Sequence, residues 1–218
     1  MTVIMITVKS TQGRKIMRVS REQVRENRRT IVEAASQLFR ERGFESVTVA
    51  EIMQTAGLTH GGFYGYFKSK EELIAAALGE ALANTTGPSN DLAAYAAGYL
   101  SRTHRDNRAR GCPTAALAAE TIRQPGRARA EMTAGLKRQI ERLSRVTPGE
   151  TAAQQRRAAI GSWAAMVGAM ILARVSDDPE LSVEVLDQTR AWLDAQAGNQ
   201  APPASRTRST RPRRPTGR

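Results

Sequence analysis

The most reactive side chains in this sequence are one cysteine and two histidines, Cys112, His60 and His104. A nucleophilic enzyme would have to pair Cys112 with His104 and hold thiol and imidazole about 3 Å apart. Nothing in the sequence enforces that distance. The sequence also lacks the HExxH and GxSxG motifs, a phosphate-binding loop and a Cys/His set for zinc. We therefore predict that the chain is not an enzyme and uses no catalytic residue, metal or cofactor.

A second group of polar side chains lies in the segment THGGFYGYF, residues 59–67. Each of its three glycines costs about 0.8–1.0 kcal/mol of helix propensity relative to alanine, so stability alone does not favour them. A glycine backbone can, however, lie close to another surface. The hydrogen-bonding residues are expected on the face opposite Phe63 and Phe67; they are Thr59, His60, Tyr64 and Tyr66. This face suits a DNA groove, and a frayed surface turn with incidental tyrosines is the alternative.

The residues before this segment predict the elements that position it. Thr48, with Glu51 three residues later, has capping-box spacing and predicts a helix that Gly57 ends. Thr59 is a suitable N-cap for a second short helix over residues 60–67. Two short helices joined by a tight turn form the helix-turn-helix pattern.

The flanking residues predict two longer helices. Apolar residues at helical spacing favour a helix over 21–42, which Gly43 would end. Ser69 and Glu72 form another capping box, so a further helix is expected from Lys70 to about Ala83. These two helices would hold the short pair from both sides.

Residues 25–78 resemble the DNA-binding domain of the TetR family of bacterial transcriptional regulators. The resemblance rests on the segments AASQLFRERGFESVTV, AEIMQTAGLT and FYGYFKSKEEL. It implies an all-α homodimer, with an N-terminal three-helix helix-turn-helix domain and a C-terminal helical domain for ligand binding and dimerisation. In such proteins a ligand usually releases the operator. Gly65 and Tyr66 replace the family's more usual bulky residue and histidine, so base preference does not carry over.

The motif and the resemblance together imply a set of DNA contacts. Tyr64 and Lys70 are expected at phosphates, whereas Thr59, His60 and Gly62 are expected nearest the bases. Arginines at the start of the first helix can reach a phosphate, and a solvated face is an equal alternative. The complete set is Arg28, Thr48, Thr59, His60, Gly61, Gly62, Tyr64, Tyr66 and Lys70.

The net charge of +12 is concentrated at the two ends of the chain. Residues 1–30 and 201–218 each carry a net charge of +6, and the rest sums to zero. Basic ends fit a nucleic-acid binder, although they could also touch an anionic membrane. An architectural or nonspecific DNA-binding protein is therefore the alternative function.

Two features indicate the compartment. The single cysteine fits a reducing cytoplasm, where a bacterial regulator would bind the nucleoid. The longest uncharged run, residues 158–173, is shorter than the roughly 20 residues of a membrane span. We therefore expect a cytoplasmic protein without a membrane partner.

Composition divides the chain into four predicted regions. These are a flexible N-terminal extension (1–20), the helix-turn-helix domain (21–68), a helical ligand-binding and dimerisation domain (69–198) and a disordered basic tail (199–218). Helices of the third region are expected over 91–103, 113–122, 126–145, 150–174 and 179–197.

The last two of these helices have apolar stripes that suit a dimer interface. Trp163, Val167 and Met170 recur along the first, and Val185 and Trp192 along the second. Apolar periodicity does not distinguish an interface from intramolecular core. The resemblance favours a four-helix dimer bundle, so we predict that these five residues contact a second copy.

Cys112 lies between Gly111 and Pro113, which places its thiol at or beside a helix N-terminus. Its segment, GCPTAALAAE, is similar to one in TetR-type regulators that sense electrophiles, where the cysteine after glycine is the reactive residue. A small buried side chain beside the ligand pocket is the alternative, since free cysteine is often buried. The inducer is thus predicted to be a small molecule or a thiol-reactive electrophile.

Overall fold

The structure, a computed structural model, describes residues 20–85 and 91–199, with side chains described to residue 196. Almost all of the predicted N-terminal extension and basic tail lies outside these ranges. Within them every regular element is helical, which confirms the all-α prediction. The elements are α1 (Arg21–Arg42), α2 (Val49–Thr55), a 3₁₀ helix (His60–Gly65), α3 (Lys70–Ala83), α4 (Leu92–Tyr99), α5 (Arg102–Asp106), α6 (Pro113–Thr121), α7 (Gly126–Ser144), α8 (Ala152–Val175) and α9 (Pro179–Asn199).

The caps predicted for α2 and α3 are confirmed, and Ser20 caps α1 in the same way. Ser20, Thr48 and Ser69 each accept a hydrogen bond from the backbone N–H three residues later, at 3.1, 3.2 and 3.3 Å. These bonds satisfy amides that have no partner inside a helix. Gly43 and Gly57 follow α1 and α2 with φ of 84° and 72°, a backbone region that favours glycine.

The second short helix of the motif differs from its prediction. Residues 60–65 form a 3₁₀ helix, not an α-helix over 60–67, and Thr59 precedes it without a side-chain capping bond. The glycines explain the difference, because they weaken α-helix propagation over a segment too short to nucleate one readily. The tighter helix still buries Phe63 and Phe67.

The single helix expected over 91–103 is divided into α4 and α5. The break lies at Leu100, and Ser101 then caps α5 by accepting the His104 amide at 3.2 Å. A serine side chain competes for backbone amides and favours a new N-cap over continuation of a helix. Asp178 caps α9 by accepting the Glu180 amide at 2.8 Å.

Two apolar clusters hold the chain together. The first combines α1, α2, the 3₁₀ helix and α3 with Leu117 of α6 and Met132 of α7. At Gly135 of α7 a Cβ atom would meet Leu82 of α3 at 2.7 Å, so glycine permits the close approach of these helices. Because this core crosses residue 68, the domain boundary placed there stays a prediction. The second cluster joins α4 with α7, α8 and α9.

Helix α8 is the one described helix that is long and apolar enough to cross a membrane by length and composition, with a mean hydropathy of 1.6 over 18 residues. The expectation that the protein has no membrane partner rested on the shorter uncharged run of residues 158–173, and it stays a prediction. One face of α8 packs into the second cluster through Trp163, Met166 and Met170. A third of the window is buried, so much of the other face is exposed in one subunit.

Candidate nucleic-acid interface and ligand cavity

The 3₁₀ helix presents a polar surface held in place by two buried rings. Phe63 and Phe67 are each 1% exposed, and their rings stack with centroids 5.8 Å apart. On the opposite side Thr59 and His60 are exposed, and Tyr64 is 75% exposed. Donors and acceptors therefore project from a rigid base, as groove or phosphate contacts require.

The glycines of this surface leave its backbone accessible. Gly61 is exposed and has open space where a Cβ would lie, and Gly62 is half-buried. A second surface can approach both peptide groups more closely than it could with side chains there. This is the arrangement expected from the sequence.

Tyr66 was predicted among the DNA-contacting residues, but its side chain is buried. Its ring is buried in the first cluster, and its hydroxyl accepts a hydrogen bond from Asn27 Nδ2 of α1 at 2.8 Å. The 3₁₀ path turns this side chain inward, whereas an α-helix was expected to turn it toward the polar face. Tyr66 thus ties the motif to α1 and lies outside the polar surface.

The remaining residues of the predicted set border this surface. Thr48 is exposed beyond its capping bond, and Lys70 is half-buried in the first turn of α3. The guanidinium of Arg28 lies 4.6 Å from the centre of the Phe67 ring, a cation–π contact. Arg28 therefore also covers the base of the 3₁₀ helix.

A cavity of about 530 Å³ lies between the end of α1, α3, α4, α5 and the start of α6. Cys112 lines it and is the N-cap residue of α6, as expected from its neighbours. The cysteine is 5% exposed, so access to it is through the cavity. This is the volume of a small-molecule site.

His104 lies beside Cys112 but is not placed as its base. Its Nε2 accepts the backbone N–H of Cys112 at 3.0 Å, and its Nδ1 donates to the Tyr99 carbonyl at 2.6 Å. Both ring nitrogens are thus occupied by backbone. Burial lowers the pKa of His104, and the nearby Arg174 lowers it further, against the opposing effect of the Tyr99 carbonyl. A neutral imidazole that positions the start of α6 fits these contacts.

Two contacts that the sequence did not reveal connect α6 to the DNA-binding domain. Glu120, near the end of α6, accepts the backbone N–H of Phe44 at 2.6 Å. Beside its start, the carbonyl of Gly111 accepts a bond from Arg40 of α1 at 3.4 Å. Both partners are more than 70 residues distant in the chain, so local patterns carry no signal for either contact.

The predicted interface residues separate into two groups. Trp163 and Met170 are 5% and 0% exposed within one subunit, so they are corrected to core residues. Val167 and Val185 are half-buried against the second cluster, and Trp192 is 50% exposed. An uninterrupted apolar helix does not reveal which of its faces turns inward. The face left exposed on α8 and α9 carries Ile160, Ile171, Leu172, Val175, Leu181 and Trp192.

In the part of the chain that the structure describes, no group of three or more His, Cys, Asp or Glu side chains could hold a metal ion.

Comparison with known proteins identifies the N-terminal domain. Residues 31–77 match the family model for bacterial regulatory proteins of the tetR family. The HTH-type transcriptional regulator TtgR of Pseudomonas putida is 40% identical over 63 residues, which are 29% of this chain and 30% of TtgR. The match thus spans less than a third of that relative.

Solved structures extend the likeness to the whole fold. A TetR transcriptional regulator from Chloroflexus aurantiacus has a TM-score of 0.65 at 22% identity, covering 82% of this chain and 98% of that one. AibR, solved in complex with isovaleryl coenzyme A and operator DNA, has a TM-score of 0.51 at 18% identity, covering 77% and 98%. At these identities the likeness concerns the fold.

Proposed function

The chain belongs to the TetR family of bacterial regulatory proteins, and from this premise we propose that it is a dimeric transcriptional repressor whose operator is released by a small molecule. The observation that carries the proposal is the exposed polar face of the 3₁₀ helix on its buried phenylalanine base. Family membership also supports the prediction that the chain is not an enzyme. Such a repressor would act in the bacterial cytoplasm, on the nucleoid.

The direct test is a selection of bound DNA from a random pool. A dimer that places two identical reading surfaces on one duplex should enrich a two-fold symmetric site. The preference should survive removal of residues 199–218, because the tail would add only sequence-independent affinity. An enriched pool without symmetry contradicts the repressor and supports the nonspecific DNA-binding alternative.

The contacts within the surface have distinct expected effects. Lys70→Ala should weaken binding to all sequences about equally and lower the salt slope by about one unit, because a phosphate contact is lost. His60→Ala should change the preference at one position of each half-site. If the two variants behave alike in binding titrations at several salt concentrations, the assignment of phosphate and base contacts is wrong.

Dimerisation is proposed through the exposed apolar face of α8 and α9. Ile171, Leu172 and Val175 of α8 are 42%, 56% and 76% exposed, and Trp192 of α9 is 50% exposed. At Gly168, on the same helix, a Cβ would meet nothing within 4 Å, so a partner helix could approach closely. Large contiguous apolar surfaces of this kind mark an interaction site.

The inducer is proposed to occupy the cavity beside Cys112. AibR, which shares the fold, was solved with both a small molecule and operator DNA. In this chain the cavity lies against the start of α6, and Arg40 and Glu120 connect that helix to α1 and the turn after it. A ligand that displaces α6 would therefore act on the helix that supports the DNA-reading surface.

An electrophile that modifies Cys112 is a specific form of this proposal. Treatment with N-ethylmaleimide should then reduce operator binding by the natural protein and leave Cys112→Ser unaffected. If both proteins respond, or neither does, the thiol is structural and the inducer binds noncovalently.

A further inference from the structure

The cavity beside Cys112 has positively charged walls. Arg40 and Arg110 line it, and its lining includes no Asp or Glu. Among the described residues no carboxylate lies within 4 Å of either guanidinium. The carboxylate whose charge acts on Arg40 is that of Glu80, which does not line the cavity and whose pKa is itself raised by burial. The cavity thus favours an anionic occupant.

Arg40 is the better placed of the two arginines. Its Nε donates to the Ser36 carbonyl at 3.1 Å, and its Nη1 donates to the Gly111 carbonyl at the longer distance of 3.4 Å. These neutral acceptors do not neutralise its charge, and burial lowers the pKa of the half-buried guanidinium. A ligand carboxylate would supply the counter-charge through a charge-assisted bond.

Tyr99 supplies an independent sign of a ligand. It is 6% exposed and lines the cavity, and its hydroxyl has no oxygen or nitrogen partner among the described residues. Burial raises the pKa of Tyr99, and so does its neighbour, the Cys112 thiol, which is a weak hydrogen-bonding group. Buried polar groups are seldom left without a partner in folded proteins. A ligand oxygen in the cavity could accept this hydrogen bond.

A smaller recess behind Cys112 carries further unpartnered polar atoms. Trp163 Nε1 and Arg142 Nε are buried donors without partners in the described part of the chain, and Gln139 Oε1 is an acceptor in the same condition. The recess shares Cys112 and Thr85 with the main cavity. The volume of this recess is about 10 Å³, close to the least that holds one water molecule, so a water rather than a ligand would pair these atoms.

The walls also indicate a flat ligand body. The Tyr95 and Tyr99 rings lie 6.0 Å apart between centroids, and the Tyr99 and His104 rings lie 4.6 Å apart. Small residues complete this part of the wall, among them Ala81, Ala94 and Gly98. Aromatic rings beside small side chains favour a planar ligand that packs against a ring face or edge.

We propose that the inducer is a small aromatic carboxylate, whose carboxylate contacts Arg40 and Arg110 and whose ring packs on Tyr95 and Tyr99. This names the ligand class of the regulator proposed above and rests on that function. Because Arg40 belongs to α1, the ligand draws on the same guanidinium that bonds to Gly111. Binding therefore loosens one of the two hydrogen bonds that connect residues 111–120 to α1 and the turn after it.

The test compares matched aromatic ligands with the full-length protein by isothermal titration calorimetry. The probes are benzoate, 2-naphthoate and salicylate, each with its neutral amide and its aminomethyl counterpart. We expect the carboxylates to bind about ten-fold or more tightly than the amides of the same skeleton. Equal or tighter binding of the amides or amines overturns the proposal, as does absence of carboxylate binding up to roughly 10 mM.

Substitutions locate the contact. Arg40→Gln should weaken carboxylate binding about ten-fold and leave amide binding unchanged, while Arg40→Lys should restore part of the difference because it keeps the charge. Arg127→Gln, on an exposed part of α7 outside this cavity, is the matched control and should change neither. Circular dichroism of each variant checks the fold. If folded Arg40→Gln retains the full carboxylate preference, the assignment is wrong.

The DNA selection on the same preparation separates the two claims. A symmetric operator with no carboxylate preference removes the ligand class and leaves the repressor. A carboxylate preference without a symmetric operator removes the DNA function and leaves the binding site.

Discussion

Glu120 offers the sharpest test of the connection between the two domains. Its carboxylate accepts the Phe44 amide at 2.6 Å, in the turn between α1 and α2, and Phe44 itself is 1% exposed. Glu120→Ala removes the acceptor. The amide is then left without a partner beside a buried ring.

The size of the effect follows from the bond and its surroundings. A hydrogen bond to a charged group contributes about 1.5–3 kcal/mol to stability. Because Glu120 is half-buried, a water molecule can replace part of the lost hydrogen bond. The expected loss of stability is therefore at the lower end of this range. We expect Glu120→Ala to lower the free energy of unfolding by about 1.5 kcal/mol, roughly ten-fold in the unfolding equilibrium. Glu120→Gln retains a neutral acceptor and should lose about half as much.

Urea unfolding and native-state hydrogen exchange measure this prediction. The urea midpoint should fall without a change in slope, because the surface exposed on unfolding is unchanged. Exchange of the Phe44 amide should accelerate in Glu120→Ala. Glu141→Ala, on the exposed side of α7, is the control and should leave both measurements unchanged. If Glu120→Ala leaves the midpoint and Phe44 exchange at natural values, the bond does not hold α6 to the turn.

Three further outcomes follow from other parts of the structure. The pKa of His104 is lowered in the fold. His104 therefore costs no stability above its ordinary pKa of about 6.5, and the free energy of unfolding should fall as the pH drops below that value. In urea unfolding between pH 7 and about 5, His104→Asn should show a shallower decline. Leu172→Glu places a charge on the exposed face of α8 and should convert the proposed dimer to a monomer in analytical ultracentrifugation. Ala153→Glu, on the exposed first turn of the same helix, is the control and should not. A dimer that persists in Leu172→Glu refutes this interface. Gly135→Ala places a Cβ 2.7 Å from Leu82 of α3 and should lower the thermal midpoint, at a cost of about 1–3 kcal/mol in stability. Gly98→Ala places its Cβ in open space and should raise the midpoint slightly, because alanine favours a helix. Equal midpoints of the two variants would contradict the packing argument.

Local chemistry in the sequence predicted most of the N-terminal domain. Ser20, Thr48 and Ser69 mark helix starts by bonds that span only three residues, so their spacing is visible in the chain. Phe63 and Phe67 were likewise predicted as the buried base of the motif. Such features depend on neighbours in sequence, which is why they could be read without a structure.

The features that failed depend on tertiary packing or on small energy differences. Whether residues 60–67 form an α-helix or a 3₁₀ helix decides which way Tyr66 points, and glycines alter that balance by about 1 kcal/mol each. On α8 the apolar residues surround the helix, so Trp163 and Ile171 could not be assigned to inside and outside. Glu120 gave no sign of its role, because its partner amide is 76 residues earlier in the chain.

The separation of exposed polar residues from buried aromatic residues in and beside the 3₁₀ helix also has a consequence for evolution. His60, Gly61 and Tyr64 are exposed and contribute little to the core, whereas Phe63 and, just beyond the helix, Phe67 are buried in the first cluster. Mutations at the outward positions can accumulate without unfolding the protein, since surface substitutions usually change stability by less than about 0.5 kcal/mol. Under the proposed function, a duplicated copy could thus acquire a new target site while its cavity and its proposed response to a ligand stay unchanged. The same separation allows the reading surface to be exchanged by design.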